Sequence, residues 1–326
     1  MINFFSDIKI CKGFLCSTII DLSKKCFYQL SNELLENILN QSEKVDEDIL
    51  SFLSENELVN NFEQHIELFI PINLSYDKFE LKKIDTVFIE FLPSHFKWFN
   101  LTFFQQLEEN INLIINLEKG IEDPDLSKLL DVCNEFVSQL PIDSIQIITA
   151  KNMTEFHLDK NDSRVIVSES KEFPLLKTEL NLYVESLHRH TYFNKNIFIN
   201  SNEEIKNAFE SEKSYGTISE LKDFSGILDI VKDVNFQKYW RVNKGKCDVC
   251  KDCEFQNICI DDRLPYQRKD GSWYHKKECV YNPYISKWEK EEGYLSLEEV
   301  GIFSGHNGYK RDNGKIASIN DALWGE

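Results

Sequence analysis

The chain has 326 residues, 42% of them hydrophobic and 13% aromatic, which is enough for two or three domains that each bury a core. Its formal charge of −18 excludes a general binder of nucleic acid or anionic membrane, since either needs a basic face, and leaves room for a basic or neutral peptide. Charges interrupt the longest apolar runs, and Met1-Ile2-Asn3-Phe4-Phe5 lacks the basic start and long apolar stretch of a signal peptide, so a cytoplasmic protein without a membrane span is expected.

Residues 3–30 read as a small antiparallel sheet: Ile8-Lys9-Ile10, Ser17 to Leu22 and Cys26-Phe27-Tyr28 alternate, with turns at Lys12-Gly13 and Ser23-Lys24-Lys25. Ser31-Asn32-Glu33 is the N-cap region of a helix carrying Leu34, Leu35, Ile38 and Leu39, and Asp46 opens a second around Ile49, Leu50, Phe52 and Leu53. Strands followed by short helices describe a winged-helix-like module over residues 1–80.

From residue 85 strands alternate with helices. Strands are predicted over 85–92, 112–117, 144–149 and 164–167, with helices over 95–110 and over 126–140, where Leu129, Leu130, Cys133, Phe136 and Val137 share a face. That alternation predicts a parallel α/β sheet in a segment 81–235, continued by strands at 196–199 and near 215–218. A third segment, 236–326, bears most of the cysteines.

Nine cysteines in a reducing compartment favour metal over disulfides. Four of them, Cys250, Cys253, Cys259 and Cys279, run C-x2-C-x5-C-x19-C. Two sulfurs of a C-x2-C step reach one centre across a tight turn, and the later pair closes the cage. A [4Fe–4S] cluster, structural zinc and no metal all remain open; zinc ribbons usually pair two short C-x2-C knuckles, which the C-x5-C step fits poorly. Cys247 is an alternative ligand or a spare buried thiol, and Cys11, Cys16, Cys26 and Cys133 read as small hydrophobes. Arg263 is placed either to balance thiolate charge or to pair with Asp261. His188-Arg189-His190 reads as a surface loop, and the tryptophans at 240, 273, 288 and 324 as packing around a small metal domain. No phosphate-binding glycine loop, Ser-His-Asp order or H-E-x-x-H occurs.

The cysteine segment resembles the SPASM domain of peptide-modifying radical-SAM proteins. More closely, the chain resembles the SPASM-domain peptide maturase of grasp-with-spasm peptide-modification systems. The resemblance rests on Phe236 to Trp240, Asn243-Lys244, Cys250 to Phe255, Cys259 to Arg263, Glu278 to Tyr284 and Lys287 to Gly293; it is dense over 236–326 and looser before. It implies one auxiliary-type [4Fe–4S] cluster on Cys250, Cys253, Cys259 and Cys279. The family's second auxiliary cluster needs a cysteine where this chain has Arg263 and a G-x4-C step where it has Glu203 and Ala208, so that cluster is expected to be missing. No C-x3-C-x2-C occurs in the chain, so the S-adenosylmethionine-cleaving cluster has no ligands. The resemblance further implies a winged-helix-like leader-recognition module, a degenerate partial radical-SAM-like α/β barrel, and two partners: a ribosomally made precursor peptide and an ATP-grasp ligase. The expected function is therefore peptide maturation as an accessory protein. A redox enzyme using the single cluster and a zinc-containing interaction domain are the alternatives.

Overall fold

The computed structural model describes residues 3–40, 45–60, 82–117, 122–149, 162–168 and 175–325. Residues 61–80 of the expected opening module lie outside them. The chain is a mixed α/β protein that divides into two compact units, one of Met1–Phe79, Pro174–Thr191 and Val242–Glu326, the other of Glu80–Phe173 and Tyr192–Arg241.

The first unit opens with strand β1 (Asn3–Phe4), the meander β2 (Ile8–Lys12), β3 (Cys16–Asp21) and β4 (Cys26–Ser31), helices α1 (Asn32–Leu39) and α2 (Glu47–Glu55), and β5 (Val59–Asn60), which pairs antiparallel with β1. The caps predicted from sequence form: the Ser31 hydroxyl accepts the Leu34 N–H at 3.1 Å and Asp46 that of Asp48 at 3.0 Å, satisfying donors the first turn leaves free. Strand β3 pairs on both sides and is buried on both faces. Its Ile19 packs with Ile8, Ile38, Leu53 and Leu58, while the neighbouring Ile20, pointing the other way, packs with Cys11, Phe255, Ile258 and Tyr281. One face of the meander thus covers the two helices and the other the cysteine-bearing segment.

The second unit holds β6 (Thr86–Phe91), α3 (Leu101–Phe104), β7 (Ile111–Leu117), α4 (Asp123–Gln139), β8 (Ile142–Ile148) and β9 (Val165–Ser168). After α5 (Leu180–His188), which belongs to the first unit, it resumes with β10 (Asn196–Ile199), β11 (Ile205–Lys206) and α6 (Ser225–Ile230). Its sheet has the order β11-β10-β6-β7-β8-β9, parallel except for β11. The predicted face of α4 is buried as expected, with Leu126 added. The helix predicted over 95–110 shrinks to a 3-10 turn at Pro93–Lys97 and the single turn of α3. The Asn100 side chain accepts the Phe103 N–H at 3.2 Å, so it restarts the helix where the pattern suggested continuity. Near 215–218 only an isolated Glu204–Thr217 bridge forms, because Gly216 turns the chain at φ 147°.

The rest of the first unit is three small hairpins and a helix: β12 (Pro265–Gln267) with β13 (Trp273–His275), β14 (Tyr281–Asn282) with β15 (Lys287–Trp288), β16 (Ile302–Gly305) with β17 (Gly308–Arg311), and α7 (Asn313–Trp324). A two-stranded hairpin of this length is not stable alone in water. Val249, Tyr284, Ile285, Val300, Ile302 and Ile316 supply a small shared core. Among the described residues no helix is long and apolar enough to cross a membrane.

Candidate metal centre

The cysteine segment is a run of tight turns that gathers its thiols. Val249 sits at φ 68°, ψ −53°, and the Cys250 N–H donates back to the Asp248 carbonyl at 2.8 Å: a strained γ-turn forced on a β-branched residue. The Cys253 N–H then donates to the Cys250 carbonyl at 3.1 Å, closing the C-x2-C turn. The Phe255 N–H points at the Cys253 sulfur at 3.4 Å. Cys259 is fixed differently, by an antiparallel bridge to Leu176 and by its carbonyl, which accepts the Thr191 hydroxyl at 2.6 Å. Cys279 arrives on the approach to β14 and packs with Cys253 against Phe255, Tyr281 and Trp288.

All four are free thiols, each of them half-buried. The structure brings them within one another's field: Cys250 and Cys279 act on Cys259, Cys279 on Cys250, and Cys259 and Cys250 on Cys253. Burial, the first cause, holds the Cys250, Cys253 and Cys259 thiols above the usual thiol range, with Glu254 adding to the effect at Cys253. A thiolate there would be costly unless a cation compensated it, so without one burial keeps these three thiols protonated.

Counter-charge is already in place. The Lys244 ammonium, its side chain 1% exposed, lies 2.8 Å from Asp261 Oδ2; burial would lower its pKa, and Asp261, Cys259 and Cys250 more than reverse that. Arg263 spans Asp261 at 2.6 Å and the Cys250 sulfur at 3.7 Å, so the ion pair weighed for it from sequence forms, with the guanidinium also beside one of the four thiols. Asp261 is the balance point: burial would raise its carboxyl, and Lys244 and Arg263 hold it well below the usual range. Two cations against a thiol cluster fit an anionic four-thiolate centre. A single ion with bonds of about 2.0–2.3 Å needs its donors packed closely. Among the described residues the donor group gathered within 4.8 Å is Cys250, Asp261 and His275, which includes one of the four cysteines.

Sequence reasoning missed several of these side chains. His190 was expected in a surface loop and is fully buried, its Nε2 3.5 Å from Lys244 Nζ; His188 instead ends α5. Nothing in the local pattern marks a lysine or histidine for burial when its partner, Asp261, is remote in sequence. Cys247 is fully buried, its thiol pushed up to about 12 chiefly by burial, with its sulfur 4.0 Å from the Asn243 carbonyl. Of the tryptophans, Trp240 is buried, while Trp324 is half exposed and donates its indole N–H to the Ile285 carbonyl. The position that the resemblance gives to a glycine, Glu203, lies at φ 67°, a backbone that glycine adopts freely, and Ala208 is buried.

A second feature invisible in sequence joins the opening meander to the thiol loop. Glu254 is fully buried, and its Oε1 accepts from Gln29 Nε2 at 2.6 Å and from the Tyr281 hydroxyl. The Phe14 N–H donates to the Asp252 carbonyl at 2.7 Å, and Phe27 packs edge-on to Phe255 at 5.7 Å. At Gly13 an added Cβ would stand 2.6 Å from the Glu254 nitrogen and 2.9 Å from the Cys16 carbonyl, both backbone atoms that cannot swing away. Gly13→Ala should therefore cost about 1–3 kcal/mol, read as a lower urea midpoint, while Gly305→Ala, with open space around it, should change the midpoint little.

No family model matches this chain, and no curated protein matches it. Among solved structures, the chain is similar to the crystal structure of Streptococcus suis SuiB bound to S-adenosylmethionine, at 10% identity over 80% of this chain and 95% of that one, with a TM-score of 0.24. A superposition that loose places no residue of one chain on a residue of the other.

Proposed function

We propose that this protein is an accessory maturation factor for a ribosomally made precursor peptide, holding one [4Fe–4S] cluster on Cys250, Cys253, Cys259 and Cys279. The observation that carries the reading is that Cys250, Cys253, Cys259 and Cys279 lie within one another's field, with Lys244 acting on Cys250 and Cys259 and Arg263 on Cys250. With a cysteine on every corner the cluster offers no open iron, which favours a structural or electron-transfer role over substrate activation. The C-terminal segment is then SPASM-like, and the parallel sheet of the second unit is a degenerate relative of a radical-SAM barrel. Modification itself falls to an ATP-grasp ligase that joins side chains of the same peptide.

The meander with α1 and α2 is, in this reading, the winged-helix-like leader-binding module. Among the described residues strands β2 and β4 end their sheet, so each offers main-chain donors and acceptors along one side to an extended peptide. The pockets for its side chains are placed near Leu34, Leu35 and Ile38 of α1, of which Leu34 is partly buried and the other two lie in the module's core.

Iron, sulfide and zinc analysis of anaerobically purified protein tests the centre: four irons and four sulfides per chain are expected, and one zinc without iron refutes it. Incubation with S-adenosylmethionine and a strong reductant should yield no 5′-deoxyadenosine above background, because the three-cysteine site that opens one iron is missing. Titration of the full chain with the leader of a genomically adjacent precursor should slow amide exchange in β2 or β4. Equal binding of a scrambled leader would remove support for capture.

A further inference from the structure

The sequence supplies four thiols for four corners, yet the folded chain brings a fifth donor to one of them. His275 closes the β12–β13 hairpin opposite Pro265 and is 8% exposed. Its Nδ1 lies 3.3 Å from the Leu264 carbonyl, an oxygen that can only accept, so Nδ1 carries the proton and Nε2 the lone pair. Nε2 is buried and has no hydrogen-bond partner. A buried, unpaired acceptor is costly and rare, and a ring nitrogen of this histidine lies within 4.8 Å of the Cys250 sulfur and the Asp261 carboxylate.

Asp261 is not the competing donor in this group. Its Oδ1 accepts from the Arg263 backbone and Nε at 3.0 and 2.9 Å, and its Oδ2 from Lys244 and from Arg263 at 2.8 and 2.6 Å. Both oxygens are held by cations, whereas the imidazole nitrogen is held by nothing. A ring N–H on a backbone carbonyl is also the arrangement that fixes the tautomer and orientation of metal-bound histidines.

We propose that His275 Nε2 is an alternative ligand for the metal atom at the Cys250 corner, able to hold that atom when the Cys250 sulfur does not. The inference rests on the cluster reading and adds to it one corner that is not committed to cysteine. Cys250 is also the sulfur that follows the strained Val249 turn and faces Arg263, so it is the thiolate whose bond the chain is best placed to relax. Ligation by imidazole at a cluster iron raises the reduction potential, so exchange at this corner would tune the centre without loss of iron.

The test uses the full chain, anaerobically prepared, in four versions: wild type, Cys250→Ala, Cys253→Ala and Cys250→Ala/His275→Ala. Cys250→Ala should keep at least about half of the wild-type iron, while Cys253→Ala and the double variant should lose about tenfold or more. With 15N-labelled histidine, pulsed EPR of the reduced Cys250→Ala cluster should show a directly bonded nitrogen that wild type lacks. Iron loss in Cys250→Ala equal to that in Cys253→Ala, or retained iron without the nitrogen coupling, overturns the inference and leaves the cluster intact in wild type. A wild type without iron overturns the cluster and this inference together.

Discussion

If the four thiols hold the proposed cluster, Cys253→Ala should release it and unfold much of the first unit while sparing the second. The reason is architectural. The cysteine segment is built of turns and hairpins of two to four residues, which bury too little apolar surface to persist unaided. A structural metal can contribute on the order of 10 kcal/mol of folding free energy, more than any single side chain there. Cys253 also packs in the cluster of residues that includes Ile20, Phe27 and Phe255, so the loss should reach the meander. Hydrogen exchange read by mass spectrometry should show lost protection across residues 242–325 and in β2 to β4, with β6 to β8 still protected. Uniform protection in the variant, equal to that of wild type, would mean that the thiols hold nothing the fold requires.

Lys244→Met should be the most damaging substitution outside the cysteines. Removing one partner of a buried ion pair costs about 3–5 kcal/mol, because the other charge stays in a medium that cannot solvate it. Arg263 remains on Asp261 and should hold the loss near the lower end of that range. Lys290→Met, on an exposed residue, should cost no more than about 0.5 kcal/mol. The same change removes a positive charge from beside Cys250 and Cys259, so the proposed cluster should become harder to reduce and its potential should fall. Denaturant titration measures the first effect and potentiometry the second. A stability loss with an unmoved potential would make Lys244 a partner of Asp261 alone.

Much of this was legible in the sequence because its causes are local. The caps at Ser31 and Asp46 are contests between a side chain and the next turn's N–H groups, decided within three residues. The parallel strands and the buried face of α4 follow from apolar periodicity, and the four thiols announce themselves by spacing. The helix over 95–110 failed for an equally local reason, the Asn100 cap, which the apolar pattern outweighed in the reading.

What only the tertiary structure decided are pairings between residues far apart in the chain. That Ile19 and Ile20 face two different cores depends on what lies on each side of β3, and neighbouring isoleucines look alike in sequence. Gln29 meets Glu254, His190 meets Lys244, and His275 reaches Cys250 because strand pairing and turns close long loops at low entropic cost. A buried charge or an unpaired nitrogen has no sequence signature, since its energy is set by which groups surround it rather than by which groups precede it. The sequence by itself therefore determined the elements and the four thiols. The folded chain determined which charges stand beside those thiols and that His275 lies near Cys250.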